Sequence, residues 1–209
     1  MMNLTSDGIR HLLSRRIFIT SLSLGLLTQP VAMRSGGQPT GRAIDVGHSS
    51  LRIHVSKSGF FSAFAHNHEI EAPIVSGEVQ ITGTPSVELR VDTRKMRVLD
   101  PEASESTRAQ IQKTMEGPQV LDAARFPEIH FLSTNVEGKA ADQWVVRGTL
   151  ELHGQTHPVT ADVTLKDGRY LGTATFKQTA FGITPVTVGG GTVKVKDELK
   201  IEFAIALAQ

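Results

Sequence analysis

The sequence predicts an all-β fold: one antiparallel sheet, either closed as a barrel or folded as a sandwich, with a single short helix. Three observations carry this. Apolar and polar residues alternate with period two along most of the chain beyond residue 40. Turn-forming clusters cut those runs at short intervals, and only the stretch around residues 101–116 has helical spacing.

The elements follow in order. Leu51, Ile53 and Val55 alternate with Ser50, Arg52 and His54, and Val75, Gly77, Val79 and Ile81 continue the pattern. Val87, Leu89 and Val91 form the next run, followed after the helical segment by Ile129 and Phe131. Trp144, Val146, Gly148, Leu150 and Leu152 share one face, as do Val159, Ala161, Val163 and Leu165. The last run is Leu199, Ile201, Phe203, Ile205 and Leu207. One apolar face and one mixed face is the antiparallel pattern. Lys57-Ser58-Gly59, Gly83-Thr84-Pro85, Gly154-Gln155-Thr156 and Lys166-Asp167-Gly168 read as the turns between runs. The absence of a repeat of 20–50 residues argues against a propeller or solenoid. Glycines at 77 and 148 fall on the apolar phase, where they leave room for a cavity or mark a bend.

The helical segment reads as starting at Asp100 as N-cap and Pro101 as first helical residue. Thr107, Ile111 and Met115 recur every four residues, and Gly117-Pro118 supplies the stop. Glu105, Arg108, Gln112 and Lys113 read as its solvated face. Such a helix would lie against, or plug, one end of the sheet.

At the N-terminus, Ser14-Arg15-Arg16-Ile17-Phe18 matches a twin-arginine export signal, with Arg15, Arg16 and Phe18 at its core. The apolar stretch from Ile17 to Leu27 has eleven residues, short of the roughly 20 that a membrane-spanning helix needs. Residues 1–33 are therefore expected to be an address, residues 34–40 a lead-in and residues 41–209 the folded domain. Without the first 33 residues the chain has 19 basic and 20 acidic residues. That balance gives no electrostatic reason to expect nucleic acid or an anionic membrane surface. The mature chain is expected to be periplasmic or secreted and to carry no integral membrane segment. With no cysteine, disulfides, thiolate metal sites, iron–sulfur clusters and cysteine nucleophiles are excluded.

Phe64-Ala65-His66-Asn67-His68-Glu69-Ile70 holds a His-x-His pair in a strand-like run. Residues two apart on a strand share a face, which places His66 and His68 with Phe60, Phe64 and Ile70. Three readings stay open. The imidazoles are polar groups in an apolar lumen, they bond only to the protein itself, or they are metal ligands completed by His153 and His157, a donor set that zinc or copper accepts. His48 and His130 are further candidates for that set. His153 and His157 have helical separation, but Gly154 and Pro158 place them on a turn. Enzyme motifs are absent: there is no G-x-S-x-G elbow, phosphate loop or dinucleotide fingerprint. Gly189-Gly190-Gly191 precedes a strand, not a helix. Asp92, Asp100 and Glu102 make no convincing acid/base pair, and catalysis is not expected.

Five segments, in order, resemble the YceI-like family of bacterial periplasmic proteins. They are Ile44-Asp45-Val46-Gly47-His48-Ser49, the run from Leu121 to Phe131 with Phe126-Pro127, and Gly148 to Val159 with Gly154-Gln155-Thr156-His157-Pro158-Val159. Phe181-Gly182-Ile183 and Asp197-Glu198-Leu199-Lys200-Ile201 complete the set, and the similarity covers about residues 41–208. The resemblance implies an extended, lipocalin-like antiparallel β-barrel of about eight strands, holding a long amphiphilic lipid such as a polyisoprenoid, a quinone or a fatty-acid derivative. It implies no required cofactor. The expected lumen residues are Phe60, Phe64, His66, His68, Phe131, Trp144, Leu150, Phe176 and Phe203. Many members have a Gly- and Phe-rich strand where this chain has its two histidines. The alternative function is a metal-binding or redox-associated accessory protein using that strand. Rim strands of such a barrel are compatible with a homodimer.

Overall fold

The computed structural model describes residues 41–58, 67–188 and 193–209. The export signal, with Arg15, Arg16 and Phe18, lies outside the described residues, as do the lead-in, Phe60, Phe64, His66 and Gly189 to Gly191. The strands are β1 (Gly41–Ala43), β2 (Ser50–Ser58), β3 (His68–Glu71), β4 (Ile74–Gln80), β5 (Ser86–Asp92) and β6 (Arg97–Val98). The helix α1 (Glu105–Glu116) precedes β7 (Glu128–Ala140), β8 (Gln143–Leu152), β9 (Gln155–Lys166), β10 (Arg169–Lys177), β11 (Thr187–Val188) and β12 (Val193–Ile205). All pairs are antiparallel, in the order β1-β4-β5-β7-β8-β9-β10-β12-β2-β3-β6, with β11 beside β12.

Twelve strands stand where about eight were expected, because three ladders are each interrupted once and the two-residue β11 adds a short hairpin to β12. β12 pairs with β2 and then, through the bridge between Leu207 and Ile44, with the end of β1. Asp45 Oδ1 holds the intervening turn by accepting from the Gly47 and His48 backbone N–H groups at 3.1 and 3.2 Å. β3 and β4 run on from each other against β2 and β1, broken at Ala72-Pro73, where proline has no N–H to give the ladder. β5 and β6 follow each other against β4 and β3, broken by a 3-10 turn at Thr93–Lys95. Counted as ladders, these three with β7, β8, β9, β10 and β12 close on one another. At the seam Asp45 N–H donates to Ala206 O and Ala208 N–H to Ala43 O, both at 2.9 Å. The Arg42 guanidinium caps it on Ala208 O at 2.7 Å. At the end of the path β6 pairs only with β3, and Gln112 of α1 bonds the backbone there at Val98 and Met96, so no long free edge is left among these ladders.

Two-residue turns close the β8–β9 and β9–β10 hairpins. Both central residues have positive φ, 52° and 71° at His153-Gly154 and 51° and 74° at Asp167-Gly168, which is type I′ geometry matching the sheet twist.

One phase assignment changes. Ile74 is buried and Val75 exposed, since a register shift between Ile74 and Ser76 turns Val75 out of the expected apolar face. The inward glycines do not leave room. A Cβ on Gly77 would lie 2.5 Å from Ile44 Cδ1, and one on Gly148 would lie 2.5 Å from Phe131 Cζ and from Leu132 O; at Gly172, which the sequence did not single out, it would lie 2.3 Å from Phe203 Cζ. The missing side chains instead make room for the Phe131 and Phe203 rings against the wall.

The helix also starts later than its sequence suggests. Ser104 is the N-cap, its side chain accepting from Thr107 N–H at 3.2 Å. Asp100 instead starts a turn through Pro101, its carbonyl accepting from Ala103 N–H at 3.0 Å, which releases its carboxylate toward β3. The solvated face is narrower than expected. Glu105 and Lys113 are exposed, but Arg108 and Gln112 are half-buried. Gln112 ties the helix to β6, accepting from Val98 N–H at 2.9 Å and donating to Met96 O at 2.8 Å. Met115, Met96, Leu121, Phe181 and Ile183 form a packed core at this end, and α1 covers it.

Candidate functional site

Inside the barrel lies a cavity of about 590 Å³, within the roughly 300–1,000 Å³ typical of small-molecule sites. Its wall is made by the period-two phase of the strands: Leu51, Ile53 and Val55 on β2, Leu89 and Val91 on β5, Val159 and Ala161 on β9, and Leu199, Ile201 and Phe203 on β12. The helix supplies one end with Thr107, Gln110, Ile111, Thr114 and Met115. The other end holds Val136, Trp144, Val163 and Tyr170, with the Trp144 and Tyr170 ring centroids 5.9 Å apart. Val136 reaches the lumen because a register shift between Ser133 and Asn135 changes the phase of β7.

Of the expected lumen residues that are described, His68, Phe131, Trp144, Leu150, Phe176 and Phe203 all line this one cavity. Phe131 and Leu150 are cross-strand partners, and Phe203 stands opposite Gly172. Phe176 packs edge-on against Phe181, which is 1% exposed, at 5.2 Å between centroids. It therefore belongs to both the wall and the core.

His68 is a polar group in this otherwise largely apolar wall. It shares the inward face with Ile70, as the period-two rule requires, and stands opposite Val55. Its Nδ1 is hydrogen-bonded to Asp100 Oδ2, while Asp100 Oδ1 accepts from the Glu69 backbone N–H at 2.9 Å. The Asp100 side chain is only 3% exposed. A carboxylate with both oxygens engaged fixes the ring orientation and leaves Nε2 as the nitrogen not held by Asp100. Lys57 lines the cavity two residues beyond Val55, and its N–H donates to Asn67 Oδ1 at 3.3 Å. Burial pushes the Lys57 ammonium below its ordinary pKa, and the nearby Asp100 charge works in the opposite direction.

The other histidines have separate partners. His153 Nδ1 lies 3.1 Å from Phe181 O, and the ring meets Phe126 edge-on. His157 is edge-on to Phe181 at 5.2 Å. His48 Nδ1 bonds to Asp45 at 2.8 Å and His130 Nε2 to Glu88 at 2.9 Å. Among the described residues no group of three or more His, Asp or Glu side chains is placed to hold a metal ion.

The sequence placed Asp100 at the helix N-cap and Lys57 in a turn, whereas Lys57 lies within β2, and it gave neither residue a place at the lumen. Lys57 continues the Leu51-Ile53-Val55 alternation, so the phase that named its neighbours also covers it. Asp100 gave no such signal, because 31 or more residues separate it from its partners on β3.

No described helix is long and apolar enough to cross a membrane. Comparison with known proteins agrees with the fold. A UPF0312 protein of Shewanella denitrificans is 26% identical over 166 residues, covering 74% of this chain and 81% of that one. A UPF0312 protein of Vibrio cholerae is 28% identical over 112 residues, 54% of each chain. The crystal structure of Burkholderia cenocepacia BcnA superimposes with a TM-score of 0.61 at 18% identity, covering 79% of this chain and 99% of that one. The YceI-like domain profile matches residues 43–207. With a closed antiparallel barrel, a lumen and that match over most of its length, the chain belongs to the YceI-like domain family.

Proposed function

We propose that this protein is a non-enzymatic carrier, exported to the periplasm, that encloses a long amphiphilic lipid in its barrel. A polyisoprenoid, a quinone or a fatty-acid derivative has the required chemistry. The observation that supports this is the shape and lining of the cavity. On β12 its wall runs from Val195 to Ile205, roughly 33 Å of strand. Allowing for the usual strand tilt, that is roughly 25 Å along the barrel, over which an apolar tail lies extended. Burial of the tail drives binding at about 25 cal/mol per Å².

Added lipid is the first test. A ligand at a hundred times its Kd stabilises the folded state by about 2.7 kcal/mol, which for a chain of this size raises Tm by roughly 5–10 °C. We expect such a rise with at least one of a polyisoprenol, a ubiquinone and a long-chain fatty acid, and none with a short-chain analogue. No rise with any of the three would remove the reading.

A further inference from the structure

The charge around the lumen, taken with the carrier reading on which this inference rests, narrows the ligand class. Among the described residues that line the cavity, the ionisable side chains are Lys57, His68 and Tyr170, and no carboxylate is among them. Tyr170 stands at the far end beside Trp144. Lys57 and His68 stand together. Val55 is directly opposite His68, and Lys57 is the next residue on the same face of β2, so the two are diagonal cross-strand neighbours, roughly 7–8 Å apart and within reach of each other's long side chains. Asp100 sits behind the ring, with both oxygens engaged by His68 and Glu69, and it is not a lining residue. Thr107, Gln110 and Thr114 of α1 complete this end with neutral polar groups.

We propose that the Lys57–His68 end of the lumen is a head-group subsite that selects an amphiphile with an anionic head, a carboxylate or a phosphate monoester, over one with a neutral head. The tail then lies toward Trp144 and Tyr170. Lys57 Nζ donates to an oxygen of the head, and His68 Nε2 donates to a second one when the ring is protonated. Asp100 fixes the imidazole for that contact. An anion beside Lys57 offsets the cost that burial imposes on the ammonium. A neutral hydroxyl head cannot do so, and it leaves the cation without a counter-charge from the ligand.

Heptadecanoic acid, cetyl alcohol and cetyl phosphate share one hexadecyl tail and differ in the head. Titrated into wild-type protein, the acid and the phosphate are expected to bind at least about tenfold tighter than the alcohol. The tighter of the two identifies the head. Lys57→Met, which keeps the apolar stem, should bring both down to the level of the alcohol, and Lys57→Arg should restore the preference. Equal affinity of all three ligands for wild type overturns the head-group assignment and leaves the carrier intact, and that comparison needs no variant. A preference that survives in Lys57→Met has the same consequence. Failure of all three ligands to bind, together with failure of the polyisoprenol and quinone, defeats the carrier reading itself.

Discussion

Replacing Ala174 by tryptophan is expected to reduce lipid affinity about a hundredfold while the barrel still folds. Ala174 lies mid-strand on β10, between Ala161 of β9 and Ile201 of β12, and its side chain lines the lumen. In the proposed carrier, an indole there occupies the space of the lipid tail. Each methylene kept out of the cavity forfeits about 0.8 kcal/mol, so displacing four costs about 3 kcal/mol, or roughly a hundredfold in Kd. The fold survives because the new ring enters open volume, unlike a side chain added at Gly148, which would meet Phe131 and a backbone carbonyl at 2.5 Å. Lipid titration beside a thermal melt reads both quantities. Unchanged affinity in a folded Ala174→Trp protein would place the ligand elsewhere.

Removing the Asp100 carboxylate should have the largest effect on stability. In Asp100→Ala the His68 Nδ1–H and the Glu69 backbone N–H both lose their acceptor. The Asp100 site is buried, so water does not readily replace the lost oxygens. Each orphaned donor costs about 1–3 kcal/mol, and the pair together about 3 kcal/mol. Asp100→Asn keeps one acceptor oxygen and should lose roughly half as much. Chemical denaturation measures both. A loss under about 0.5 kcal/mol for the alanine variant would show that the His68–Asp100 contact adds little to the fold.

Much of the barrel could be read from the chain because period-two alternation is a local signal. Leu89, Val91, Phe131, Leu150, Ile201 and Phe203 were placed inward by phase alone and stand inward in the structure. Where a bulge intervenes, as at Ile74 and Ser76, local phase fails and Val75 points the other way. Closure is not local at all. It depends on three broken ladders and on a seam between Ile44 and Leu207, which alternation does not encode. The Asp-Pro pair misled for a related reason. A capping signature concerns the next three residues, while the carboxylate of Asp100 was satisfied by β3 far back in the chain. His68 was found through its apolar surroundings, but its partner and its neighbour Lys57 emerge only once β2, β3 and the loop before α1 are placed side by side.

A lipid held in the lumen should show in native mass spectrometry of protein recovered from the periplasm of a bacterial host. We expect a bound species that survives gentle transfer to the gas phase, leaves on activation with the mass of a long-chain amphiphile, and is lost in Ala174→Trp. Protein that carries no such species, and acquires none after incubation with membrane lipid extract, would rule out a lipid-filled lumen.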